Sequence, residues 1–77
     1  MTLDNLIMPP SVLRESKRLL ERIQQAETMT EAVKRGSVAE GFVLGITTLG
    51  AMDPATLEQM DILFSQATDD QLMILSQ

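Results

Sequence analysis

The chain contains no cysteine, histidine, tryptophan or tyrosine. Without cysteine there is no disulfide framework of the kind that holds small secreted domains together. Without cysteine or histidine, a metal would have to rely on oxygen ligands, and no stretch has the twelve-residue spacing of a calcium loop. Asp69-Asp70 and Asp61 could gather near each other, but without that spacing. The same absences empty most of the catalytic inventory, leaving carboxylates, two lysines and hydroxyls. A phosphate-binding glycine loop is also missing, because Gly41 and Gly45 lack a following Lys-Ser/Thr and fall in a predicted helix. We therefore expect no enzyme, no cofactor and no bound metal.

Aromatic residues are nearly absent as well. Only Phe42 and Phe64 occur, so leucine, isoleucine, valine, alanine and methionine must build the core. Six methionines suit gap-filling in a small core, or an adaptable binding surface. The longest apolar run, Gly41 to Met52, is interrupted by Thr47 and Thr48 and falls short of the roughly 20 residues a bilayer needs. Met1-Thr2-Leu3-Asp4-Asn5 carries an acid and no base ahead of its apolar residues, which is not the pattern of a signal peptide. A cytoplasmic protein with no membrane partner is the expectation.

With 77 residues, the chain forms one domain whose fold hides only about 60% of the surface its unfolded form exposes. Disulfides and metals being set aside, self-association is the remaining way to add burial, and we expect a homodimer.

What is present is helical periodicity. The sequence predicts an all-α, compact bundle of four to five short helices spanning 1–77. Residues 1–9 form an arm or a single helical turn, ended by Pro9-Pro10. A first long helix runs over 10–26, with Val12, Ser16, Leu19, Leu20, Ile23 and Ala26 on one stripe and Arg14, Lys17, Arg18, Glu21 and Arg22 opposite. Thr28 and Glu31 form a capping-box pattern opening a helix over 29–35, with Gly36 suited to end it. Ser37 and Glu40 repeat that pattern before a helix over 37–49, stopped by Gly50. A single helix from 30 to 49, bent at Gly36, is the alternative. Asp53-Pro54 starts a helix over 54–67, whose Leu57, Met60, Leu63, Phe64 and Ala67 share a face. Thr68-Asp69-Asp70-Gln71 is a third capping signature before a last helix over 69–76.

The segment from Val38 to Leu49 is apolar nearly all round, which predicts a buried helix at the centre of the bundle. The stripes Val12/Leu19/Leu20/Ile23 and Leu57/Met60/Leu63/Phe64 should pack against it. Gly41 and Gly45, one turn apart, would let another helix approach closely, a rule best known in membranes. Leu72, Met73, Ile74 and Leu75 are four consecutive apolar residues that cannot all point inward. These six residues are the self-association candidates.

The net charge of −5 conceals a division. Residues 1–36 hold all six basic residues against five acids, while residues 37–77 hold six acids and no base. Asp53, Asp69 and Asp70 fall at predicted helix starts, where the helix dipole favours negative charge. Arg14, Lys17, Arg18 and Arg22 form a basic stripe, the candidate surface for a partner. Interleaved Glu15 and Glu21, the absence of a neighbouring aromatic and the net negative charge disfavour nucleic acid as that partner. An acidic carboxyl-terminal half could meet a basic protein surface or imitate DNA, although imitation usually needs denser acid. The sequence thus points to a small adaptor or regulator working through protein contacts. A dimeric DNA-binding regulator using the basic stripe and a structural subunit of a larger assembly are the alternatives.

Overall fold

In a computed structural model describing residues 2–77, the chain is built from a 3-10 turn, Leu3–Asn5, and three long helices. These are α1 (Pro10–Gln24), α2 (Met29–Leu49) and α3 (Pro54–Leu75), with no strand among the described residues. Helix starts follow the proline signals: Pro10 and Pro54 each occupy a first helical position, where the missing N–H costs no hydrogen bond. Thr28 caps α2 by accepting from the Glu31 backbone N–H at 3.1 Å. Gly50 ends α2 in the left-handed conformation, φ 64°, which glycine adopts without steric cost.

One stop signal and two capping signatures go unused, so the four to five helices expected are three. The predicted helices 29–35 and 37–49 are one, continuous through Gly36 as the alternative reading of a single helix has it, and the Ser37–Glu40 pattern opens no new helix. The predicted helices 54–67 and 69–76 are also one, and Thr68, instead of capping, donates its hydroxyl to the Phe64 carbonyl at 2.9 Å. Helix α1 ends two residues early, at Gln24. The reason is tertiary. On α2, Ala32, Ala39, Val43 and Ile46 are buried along one stripe that crosses Gly36, and on α3 Leu57, Met60, Phe64, Ala67 and Gln71 form one that crosses Thr68. A break in either helix would throw half its stripe out of the core.

Helices α2 and α3 are antiparallel and share the largest interface, with α1 laid across both. They meet closely at Gly36, where a Cβ would lie 2.6 Å from Thr68 Oγ1. The core joins Leu19 and Ile23 of α1, Val43 and Ile46 of α2, and Leu57, Met60 and Phe64 of α3. The arm closes one end: Leu3 is buried, Leu6 and Met8 pack on the core, and Ile7 is left exposed. Met1 of the predicted arm lies outside the described residues. At the other end Gln71, buried on α3, donates to the Ala26 carbonyl at 2.8 Å, tying α3 to the loop between α1 and α2.

The expectation of a central helix buried all round is overturned. Val38, Leu44 and Leu49 are exposed, as are Gly41 and Gly45. Only α1 and α3 pack on α2, and among the described residues no further helix lies over its other side.

One buried position carries an unmet cost. Ser16 is fully buried in α1 and its hydroxyl has no hydrogen-bond partner among the described residues. Leaving such a group unpaired costs about 1–3 kcal/mol. Ser16→Ala is therefore expected to stabilise the fold by about 1 kcal/mol and raise Tm by roughly 4–8 °C, read by calorimetry. A lowered Tm would show that the hydroxyl is bonded in solution.

Candidate functional site

The basic stripe of α1 is exposed on one face as its spacing requires, but its charge is divided. Lys17 Nζ lies 2.8 Å from Asp4 of the docked arm. Arg18 forks onto Glu15, Nε to Oε2 at 3.0 Å and Nη2 to Oε1 at 2.6 Å. That hydrogen bonding, with the attraction of the cation, holds the Glu15 carboxyl below the usual carboxylate range and pushes Arg18 further up. Arg14 and Arg22 have no carboxylate within 4.0 Å among the described residues. Helix α2 adds Arg35, which sequence reasoning did not place here. Its Nη1 donates to the Arg22 carbonyl at 2.7 Å and its Nη2 pairs with Glu31 at 3.1 Å. Arg18, Arg22, Arg35, Leu19 and Val38 line a cleft of about 240 Å³. Two of its three guanidiniums are thus already engaged by carboxylates, which lowers the net field available to an anion.

The self-association candidates are not brought together. Gly41 and Gly45 face open space, with nothing within 4 Å of an added Cβ. Met73 and Ile74 are exposed and Leu72 and Leu75 half-buried, but they lie at the opposite end of the antiparallel pair. Leu72 neighbours Met29 and Val33 at the start of α2. From Val33 to Gly45 is about 18 Å along the helix at 1.5 Å per residue.

A different surface is assembled along the α2–α3 seam, and no residue of α1 lines it. Three hollows follow one another. The first, about 490 Å³, lies among Met29, Val33, Lys34 and Leu72. The second, about 210 Å³, shares Val33 with the first and continues over Gly36, Ser37, Ser65 and Asp69. The third, about 440 Å³, shares Glu40 and Asp61 with the second and is floored by Val43, Leu44, Met52 and Leu57. On α2 the lining residues Met29, Val33, Ser37, Glu40, Leu44 and Thr47 recur every three or four positions, one stripe of the helix. Met29 to Thr47 covers about 27 Å, most of the 38 Å long axis of the molecule.

This furrow is apolar at both ends and acidic between them. Glu40, Glu58, Asp61 and Asp69 line it against a single base, Lys34. Met29, Val33 and Leu44 stand 50%, 52% and 64% exposed along it, which a fully packed helix would not show. The signal for these residues was in the sequence as a second stripe at helical spacing. A helix stop at Gly36 and a buried second half, as the local sequence suggests, would divide that stripe and hide it. Among the described residues, no three carboxylates gather as a metal site would need. No described helix is long and apolar enough to cross a membrane. Compared with protein-family models, curated proteins and solved structures, the chain matches none.

Proposed function

We propose that the chain is a non-enzymatic adaptor or regulatory module that receives a helical segment of a partner protein in the furrow between α2 and α3. The observation that carries this reading is the line of exposed apolar side chains, Met29, Val33 and Leu44, along a seam that nothing among the described residues covers. Two antiparallel helices present a groove matched to a third helix, which buries its apolar stripe there. The inventory of side chains supports a contact role, since histidine, cysteine and tyrosine are absent.

The test is site-specific photo-crosslinking in cells that naturally make the protein. A crosslinker at Val33 or Leu44 is expected to capture the same protein. Leu44→Asp, at a position 64% exposed, should abolish capture from Val33 while leaving Tm unchanged. Capture from Arg14 alone would move the contact to the basic face and sink the groove reading. Capture of a second copy of the chain would make the furrow a homodimer interface.

A further inference from the structure

We infer that the occupant of the α2–α3 furrow is a basic amphipathic helix, with lysine or arginine over the middle of the furrow and apolar residues at both ends; this rests on the groove reading above. The pattern of the lining dictates it. Glu40 and Asp61, one from each helix, line the junction of the middle hollow with the one floored by Leu44 and Leu57. Glu58 and Asp69 extend the acidic stretch to either side. Among the described residues the only cation lining the furrow is Lys34, at its far end, and residues 37–77 contain no base. A docking helix covers these carboxylates and strips part of their water. That is unfavourable unless the helix brings opposite charge, so the furrow rejects acidic helices and selects basic ones.

Spacing narrows the partner further. Val33 and Leu44 are eleven residues apart on α2, about 16 Å along the axis. A partner helix running beside the seam meets both ends with apolar side chains about three turns apart on one face, with cations in the intervening turns. A second copy of this chain cannot supply that pattern from its basic helix. The large apolar residues of α1 are buried (Leu19, Ile23) or packed half-buried on its own core (Val12, Leu13, Leu20), and apart from Pro10 its exposed positions are all charged or polar. A nucleic acid is excluded from the furrow by the same carboxylates.

The experiment is selection against the intact protein from a displayed library of helices carrying a fixed leucine stripe, with the flanking positions free to be lysine, arginine, glutamate or glutamine. Enrichment of lysine and arginine is expected over the middle turns. The selected peptides should bind at least about tenfold more weakly to the Glu40→Lys/Asp61→Lys double variant, and more weakly as salt is raised. Both positions are exposed, and Glu40→Gln/Asp61→Gln provides the same reading without new charge should the reversal unfold the chain. Enrichment of uncharged or acidic helices that still lose binding on Leu44→Asp would overturn the basic partner and leave the groove standing. No enrichment, or binding lost only when Arg14, Arg18 and Arg22 are changed to glutamate, would overturn both.

Discussion

Ile23→Ala is expected to cost about 2–5 kcal/mol, the usual range for deleting a buried isoleucine side chain to its Cβ. Ile23 is fully buried in α1 and belongs to the cluster that joins all three helices. Among the twelve buried apolar residues described, four are alanines, so eight larger side chains supply most of the burial. A chain of 77 residues has a total stability of roughly 4–12 kcal/mol, and a single cavity removes a large part of it. At roughly 4–8 °C per kcal/mol, Tm should fall by on the order of 10–30 °C. Ile23→Val, which deletes one methyl, should cost only about 0.5–1.5 kcal/mol. Denaturant titration of the pair gives the check. Equal losses from both variants would mean that the cost is not set by the volume removed, and that Ile23 is not packed as described.

The glycines of α2 should respond in opposite directions to the same substitution. Gly41 and Gly45 lie inside the helix, with nothing within 4 Å of an added Cβ. Alanine there gains about 1 kcal/mol of helix propensity at each site, so the double variant should be more stable by about 2 kcal/mol. Gly36 has the same propensity to gain, but its Cβ would meet Thr68 Oγ1 at 2.6 Å, Cγ2 at 3.0 Å and Cβ at 3.3 Å. Thr68 cannot step aside cheaply. It is β-branched within a helix, and its hydroxyl is bonded to the Phe64 carbonyl. Gly36→Ala is therefore expected to be destabilising by about 1–3 kcal/mol, as overpacking usually is. Adding Thr68→Ala should return most of that loss, and thermal melts of the four proteins in the cycle measure the coupling. Additive effects of Gly36→Ala and Thr68→Ala would show that the helices do not meet there.

That contrast marks how far the sequence could be read. In the sequence Gly41 and Gly45 point to close approach of another helix, within the monomer or across a dimer axis, and Gly36 to a helix stop or a bend. Within the single chain it is Gly36 that meets a neighbouring helix and Gly41 and Gly45 that do not, because a glycine motif is short-ranged while the contact depends on where α2 and α3 pack. The basic stripe of α1 was legible in full, yet its pairing with Asp4, Glu15 and the added Arg35 was not. The furrow was not legible as a site at all. Glu40 and Asp61 are 21 positions apart, and only the antiparallel pairing of α2 with α3 sets them on one seam.

By itself the sequence determined the helical class, the buried stripes of α1 and of both halves of α3, the helix starts at Pro10 and Pro54, the stop at Gly50, and the division of charge between the two halves of the chain. These depend on local geometry: 3.6 residues per turn, the fixed φ of proline and the free φ of glycine. Tertiary structure alone decided that α2 and α3 run unbroken through their internal stop signals, which side of α2 faces water, and which residues line the furrow. A capping signal is worth about 1 kcal/mol, whereas burying a single large side chain contributes about 1.5–3 kcal/mol. Where a local stop and a continuous buried stripe conflicted, the stripe prevailed.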